Sequence, residues 1–382
     1  KGNTAKKTEL LQKMQGHSLQ VAVVNYESVW RIEPQIKSWK PDMIICDESH
    51  KIKTHNTVTS KSLHSLGEKA SYRLILTGTL ITNKAIDVFS QYKFLEPQIF
   101  GKSFYTFRNR YFDMVGYGNH VPVLKKSMEP ELKEKIHSIA FRATKSECLD
   151  LPETTDMVRY IELEPNAMNV YRHLVRDSFA ELSRGEVTAT NILTKILRLS
   201  QLTGGFLGDD EGKKVHQVSK AKLAALEDIV DEMTSSGKKL VVIARFIPEI
   251  EAITDLLSKK KLKFSVITGN VKNRSEQIEQ FQNDSDLLVF VGQIATAGLG
   301  ITLTAASTMV FYSMDYSMSN FEQTKARIHR AGQQKNCTYI YLIAKGTVDE
   351  KVLITLQNKA NLAKSLIDEY RRGLNPYEIG GI

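Results

Sequence analysis

Three cysteines in 382 residues, Cys46, Cys148 and Cys337, are too few, too scattered and odd in number to form a disulfide framework or a zinc ribbon. A reducing compartment is the expectation. His50 and His55 stand close together, but no second Cys or His pair accompanies them, so a metal cage has no ligand set. No apolar run approaches the ~18 residues that a membrane span requires, and Lys1-Gly2-Asn3-Thr4 starts no signal peptide. The sequence predicts a soluble, intracellular chain without a membrane partner. There is no repeat of fixed period and no low-complexity tract, and 42% hydrophobic with 25% charged residues excludes a collagenous or disordered class. What is present is length enough for two ordinary domains and a surplus of base. Lys and Arg number 52 against 43 acidic residues, a net charge of +9 that favours a polyanionic partner without naming it.

Short β-branched runs alternate with amphipathic stretches, the pattern of parallel sheets with helical crossovers. Candidate strands are 21–24, 43–46, 72–76, 240–244, 264–267, 287–291, 309–312 and 338–343. They fall into two groups. Between the groups lie helical patterns over 86–138 and 165–202, then Thr203-Gly204-Gly205-Phe206-Leu207-Gly208-Asp209-Asp210-Glu211-Gly212, whose glycines and acids predict a linker or exposed loop. Phe94, Phe104, Phe107, Tyr111 and Phe112 recur at helical spacing and are expected in a core rather than on a nucleic-acid platform. The last ten or so residues predict a frayed end.

Three patterns carry chemistry. The run Met43-Ile44-Ile45-Cys46 leads into Asp47-Glu48-Ser49-His50, placing two carboxylates at the carboxyl end of a buried strand, where open α/β sheets bind ligands. In a nucleotide site Asp47 would hold Mg²⁺ through its water shell and Glu48 would polarise the water attacking the γ-phosphate; the alternative is a solvated acidic turn. After the next strand, Thr77-Gly78-Thr79 offers two hydroxyls around a glycine, able to sense those carboxylates or to be an ordinary turn. In the helical pattern over 320–331, Gln323, Arg327 and Arg330 are spaced to share one helix face. Two guanidiniums there suit a triphosphate, since Arg offers a planar fork of donors and keeps its charge; the alternative is a solvated Arg-rich face. Upstream, Ala295-Thr296-Ala297-Gly298-Leu299-Gly300-Ile301-Thr302-Leu303-Thr304 is a glycine and hydroxyl loop able to touch phosphate and ribose.

In order and spacing these elements resemble the helicase superfamily 2 core, and within it the Swi/Snf-like family of double-stranded DNA translocases. Asp47-Glu48-Ser49-His50 resembles motif II, Leu76-Thr77-Gly78-Thr79 motif III, the residues from Gly298 to Ala305 motif V, and Gln323, Arg327, Arg330, Gly332 and Gln333 motif VI. Asn83, Phe94-Leu95 and Pro97, Arg142-Ala143-Thr144-Lys145 with Leu151-Pro152, and Ala326-Arg327-Ile328-His329-Arg330-Ala331-Gly332-Gln333 resemble that family more than other helicases. Val24-Asn25-Tyr26-Glu27 is similar to motif Ib; Val241-Val242-Ile243-Ala244-Arg245-Phe246, Thr268-Gly269 and Arg274 are similar to motif IV and its sequel.

The resemblance implies an α/β fold of two RecA-like lobes, parallel sheets flanked by helices, with family-type helical insertions. Residues 1–150 would be the carboxyl part of lobe 1, 151–218 a helical insertion and linker, and 219–382 lobe 2 with a terminal helix. It implies ATP and Mg²⁺ as cofactors, with Glu48, Asp47, Arg327 and Arg330 in catalysis and Asp47 on the metal. Gln323, His50, Gly300, Thr302, Thr77 and Thr79 would serve nucleotide binding and coupling. Asn25, Tyr26, Arg245, Gly269, Asn270 and Thr296 would touch DNA. The implied function is ATP-driven translocation on double-stranded or branched DNA by a monomer, in a bacterial or viral host cytoplasm, or in the nucleus of a eukaryote. The alternatives are a nucleic-acid-binding module without catalysis and an RNA-directed helicase of the same superfamily.

Two departures stand out. Leu80 replaces the family's proline after motif III. No Gly-x-x-x-x-Gly-Lys-Ser/Thr loop occurs anywhere in the 382 residues; Gly101-Lys102-Ser103 has Glu96 at the leading glycine position. With motif Ib so near Lys1, the expectation is an incomplete first lobe, most of a motor without its phosphate loop.

Overall fold

The computed structural model describes residues 4–13, 19–116, 118, 120–183, 189–208, 214–269, 271, 273–297 and 300–363. Contacts divide the chain into two units, residues 1–142 with 359–382, and residues 143–358.

The first unit holds two parallel strands, β1 (Met43–Asp47) and β2 (Tyr72–Leu76), in register from Met43 opposite Tyr72 to Asp47 opposite Leu76. Helix Val58–Gly67 connects them; Thr57 caps it by accepting from the Ser60 amide at 3.2 Å. One core lies under this pair, with Cys46, Ile52, Leu63, Leu66 and Phe94 buried together. A second gathers Phe89, Tyr92, Phe100, Phe107, Tyr111 and Phe112, with Phe104 packed at its edge and stacked on His55 at 3.8 Å. The aromatics at helical spacing are therefore core. The helical pattern expected over 86–138 is interrupted by an antiparallel hairpin, β3 (Phe112–Val115) with β4 (Val121–Leu124). Its Phe-Asp-Met-Val and Val-Pro-Val-Leu runs fit a two-residue period better than a helical one.

Residues 21–24, expected as a strand, form none. The segment's burial alternates, with Ala22 and Val24 against the core while Val21 and Val23 are exposed, but among the described residues no neighbouring strand supplies the hydrogen bonds that would make it a ladder. Met43, Ile45, Tyr72, Leu74 and Leu76 of β1 and β2 are exposed, and a cleft of about 860 Å³ is lined in part by 19–24 and 43–47.

The second unit is built on six parallel strands in the order β5-β12-β11-β8-β10-β9. These are β5 (Thr154–Ile161), β8 (Leu240–Ala244), β9 (Lys263–Ile267), β10 (Leu287–Gln293), β11 (Thr308–Phe311) and β12 (Cys337–Ala344); the short hairpin β6 (Phe206–Gly208) with β7 (Val215–Gln217) stands apart. All five residues of β8 are fully buried, as a central strand covered on both faces requires. Leu226, Ile229 and Val230 from helix Ala221–Ser235, and Ile250, Ile253 and Leu257 from helix Ile247–Lys259, pack on Val242, Val289, Val291 and Val310. β5 escaped sequence analysis because it is an edge strand whose Asp156 and Arg159 break the apolar run, a common device against edge pairing.

The stretch expected to be an unpacked linker is packed as far as Gly208; 209–213 lie outside the described residues. Gly204 and Gly205 are there for closeness rather than looseness. A Cβ on Gly204 would lie 1.9 Å from Glu249 Oε1, and one on Gly205 (φ +97°) 2.5 Å from the Ser219 carbonyl. Glu249 cannot step aside, since Oε2 accepts from the amides of Arg245 (3.1 Å) and Phe246 (3.0 Å) and from Ser313 Oγ (2.5 Å). Gly204→Ala is therefore expected to lose about 3 kcal/mol, the upper range for overpacking. Urea unfolding measures it; a loss below about 0.5 kcal/mol would contradict the packing.

Among the described residues no helix is long and apolar enough to cross a membrane.

Candidate functional site

In the first unit, the register of β1 on β2 sends Asp47-Glu48 and Thr77-Gly78-Thr79 out of neighbouring strands at the same end of the sheet. Asp47 is exposed, and its Oδ1 accepts the Glu48 amide at 3.0 Å. Glu48 sits in the left-handed region (φ 51°, ψ 52°), which costs a non-glycine residue on the order of 1 kcal/mol and persists only where neighbours enforce it. The turn Ser49–Ile52 supplies that enforcement, with the Lys51 amide donating to the Glu48 carbonyl at 2.9 Å.

His50 Nδ1 lies 3.2 Å from Glu48 Oε2, an attraction that by itself would favour a charged ring. Burial outweighs it. Desolvation, helped by Lys51 and Lys53, pushes His50 down to about 4, so the ring is neutral at pH 7. The unfolded chain takes up this proton near pH 6.5 and the folded chain only near 4. The stability due to the neutral ring is thus present above pH 6.5 and lost as pH falls toward 4, by up to about 3 kcal/mol. Urea unfolding of the unaltered chain and of His50→Asn at pH 7 and pH 4.5 should show a difference that shrinks in acid; a constant difference would contradict it.

Thr77 Oγ1 accepts from the Thr79 amide at 3.1 Å, while the buried Thr79 hydroxyl has no partner among the described residues. Tyr26 donates its hydroxyl to the Asp47 carbonyl at 2.6 Å, so the residue proposed for DNA also braces the acidic pair. Asn25 is held by Lys7 Nζ (2.9 Å) and itself donates to Glu27 (3.0 Å). No group of three or more His, Cys, Asp or Glu residues able to hold a metal occurs among the described residues. The exposed Asp47 carboxylate is chemically suited to Mg²⁺, which takes one or two carboxylates and completes its shell with phosphate and water.

In the second unit, parallel strands bring the loops after β8, β9 and β10 to one edge. Arg245 lies over the Phe246 ring (4.9 Å), its amide is fixed by Glu249 and Ser313, and its buried Nη1 has no partner among the described residues. The Gly269 carbonyl accepts from Arg274 Nη2 at 2.9 Å. Gln293 joins the two loops, donating to the Arg245 carbonyl (3.3 Å) and accepting from the Gly269 amide (3.4 Å). Asn270 and the side chain of Thr296 lie outside the described residues.

The shared helix face expected for Gln323, Arg327 and Arg330 does not exist. Helix Met318–Lys325 ends at the Ala326 cap, and only Gln323 lies on it. Arg327 and Arg330 follow in turns because their carbonyl neighbours have better partners than a continuing helix offers. The Arg327 carbonyl accepts from the Leu303 amide (2.9 Å), and Gln333 Nε2 binds the carbonyls of Ile328 (3.0 Å), Ala306 (2.9 Å) and Thr304 (3.2 Å). Gly332, at φ +96°, turns the chain. The turns still bring the expected residues together: Arg330 Nη1 donates to the Ile301 carbonyl at 3.2 Å, between Gly300 (φ +67°) and the half-buried Thr302.

A family model described as SNF2-related domain matches residues 1–204, and one described as helicase conserved C-terminal domain matches residues 221–332. The chain belongs to the SNF2-related family. Its relatives include a chromodomain-helicase-DNA-binding protein 1-like of Danio rerio, 24% identical over 98% of this chain and 36% of that protein. A DNA repair and recombination protein RAD54-like of Drosophila persimilis is 25% identical over 91% of this chain and 49% of its own length. An uncharacterized ATP-dependent helicase of Mycoplasma genitalium is 26% identical over 85% and 31%. The chain thus spans between about a third and a half of the curated relatives it matches. Among solved structures, the Sulfolobus solfataricus SWI2/SNF2 ATPase core in complex with dsDNA is 26% identical over 93% of this chain and 75% of that one, with a TM-score of 0.47.

For this SNF2-related chain, sequence analysis missed the residues that brace the motifs from outside them: Gln91, the Lys53–Thr82 pair (2.6 Å) and Gln293. The signal for Gln91 was a lone amide inside the apolar run Val88–Leu95.

Proposed function

We propose that this chain is the motor portion of an ATP-dependent translocase on double-stranded or branched DNA, with Mg²⁺ as the nucleotide's metal. The observation that carries the reading is the β1–β2 register, which sets the Asp47-Glu48 pair beside Thr77-Gly78-Thr79 at the carboxyl ends of parallel strands. In this reading Asp47 holds the metal and Glu48 orients the attacking water; Arg327 and Arg330 meet transition-state charge, and Gln323, His50, Thr77, Thr79, Gly300 and Thr302 couple to the nucleotide. Asn25, Tyr26, Arg245, Gly269, Asn270 and Thr296 grip the DNA. The relatives' names, DNA repair and recombination protein and helicase-DNA-binding protein, support DNA as the partner.

The phosphate loop comes from residues outside these 382. Two observations support this: the absent Gly-x-x-x-x-Gly-Lys-Ser/Thr sequence, and the apolar side chains of Met43, Ile45, Tyr72, Leu74 and Leu76 left open to water on β1 and β2. The purified 382-residue chain is expected to bind DNA and turn over ATP negligibly, because the loop's amides and lysine make most triphosphate contacts in such motors. A rate near 1 s⁻¹, the low end of ordinary enzymes, would overturn this. In the loop-bearing protein, duplex DNA should stimulate turnover and RNA should not; equal stimulation by RNA would favour the RNA-directed reading, and none by either a binding module.

A further inference from the structure

A bond that holds the residues of motif II in shape comes from Gln91, which belongs to none of the motifs. Gln91 lies on helix Val88–Leu95 and is completely buried. Its Oε1 accepts the hydroxyl of Ser49, also completely buried, at 2.7 Å. Its Nε2 donates to the carbonyls of Leu80 and Asp87, both at 2.9 Å. Ser49 directly follows Glu48, the residue held at φ 51°; Leu80 directly follows Thr77-Gly78-Thr79. One amide therefore fastens the residue after the acidic pair to the residue after the hydroxyl turn.

A second tether runs parallel. Lys53 Nζ donates to Thr82 Oγ1 at 2.6 Å, and Thr82 donates to Asp87 Oδ2 at 2.9 Å, which also accepts the Asn83 amide at 2.9 Å. Asn83 Oδ1 in turn accepts from Lys359 Nζ at 2.8 Å. The loop over 80–84 is thus tied at Leu80, through Gln91, and at Thr82 to the segment carrying Glu48. A left-handed glutamate needs such over-determination, and a displacement of about 1 Å at a catalytic group costs on the order of 10² in rate.

We propose that Gln91 is a positioning residue for ATP hydrolysis: it locks the backbone that presents Glu48 and couples that backbone to the turn Thr77-Gly78-Thr79. The inference rests on the function proposed above. Gln91 touches neither nucleotide nor metal, so its loss acts on the chemical step rather than on ATP binding.

The test uses the loop-bearing protein with saturating duplex DNA. Gln91→Leu and Ser49→Ala should each lower kcat at least tenfold with KM for ATP within about threefold. The double variant should be no slower than the worse single one within about twofold, because both changes break the same bond. Losses that multiply, or that fall on KM, overturn the proposal. Gln91→Glu guards against a Leu variant that fails to fold. Its carboxylate still accepts from Ser49 but donates to Leu80 or Asp87 only when protonated, and a buried carboxyl titrates upward. Its kcat relative to the unaltered protein should rise about fivefold or more from pH 8.5 to pH 6; a flat ratio overturns the proposal. If the unaltered protein shows no DNA-stimulated turnover, the functional reading falls and this inference with it. If it does and the Gln91 variants match it, the inference alone falls.

Discussion

Glu48→Gln in the loop-bearing protein is expected to cut ATP turnover by about 10² or more while leaving ATP binding within a few-fold of the unaltered protein. The amide preserves the shape of a side chain whose backbone is already fixed at φ 51° by the Ser49–Ile52 turn, so geometry changes little. What it loses is the charge that, in the proposed role, polarises the attacking water, a contribution of about 10²–10⁴ for a positioned base. Asp47 is untouched, its Oδ1 still on the amide of residue 48, so the carboxylate proposed to hold the metal remains. Binding of a fluorescent ATP analogue and steady-state turnover on one preparation separate the two. Turnover above about a tenth of the unaltered rate would remove Glu48 from the role of base.

Arg330→Ala should be nearly as severe in turnover, by about 10² or more, with DNA affinity unchanged. Arginines that meet transition-state charge in phosphoryl transfer contribute on the order of 10³–10⁵ in rate, and that contribution appears in the rate rather than in ground-state binding. Among the described residues Nη1 is the engaged nitrogen, on the Ile301 carbonyl, which aims the fork and leaves Nη2 and Nε as donors for the proposed phosphate contact. Arg330→Lys should not rescue, since a lysine offers a point charge where a planar fork is required. If Arg330 were a DNA-phosphate anchor, Arg330→Ala would flatten the salt dependence of DNA binding by about one unit of slope. A changed slope with unchanged turnover at saturating DNA would reject the assignment.

These two expectations differ in how much each owes to the sequence. The position of Glu48 in the chain was legible because the pattern that announces it is local: an apolar run of strand length, then two acids, the first of which closes the strand. β8, β10 and β11 were legible for the same reason, since a central parallel strand buried on both faces must be apolar throughout. Arg327 and Arg330 were legible as candidates and misplaced as geometry. Their spacing fits a helix, but the carbonyls around them are taken by Leu303 and Gln333, and nothing in 323–330 announces those partners.

The sequence by itself determined the class of fold, the family and the order of the motifs, because those depend on periodicity and residue type over short windows. Only the tertiary structure decided the rest. Residues 21–24 have strand composition but no adjacent strand to bond, and β5 is a strand because β12 offers it an edge. Gly204 and Gly205 look like linker residues in sequence and are contact points in space, since Glu249 and Ser219 come too close for any side chain there. Gln91 sits in an apolar helical run and reaches Ser49 across 42 residues of chain. In each case the deciding partner is distant in sequence, and a hydrogen bond or a close contact between distant segments leaves no periodic trace in either one.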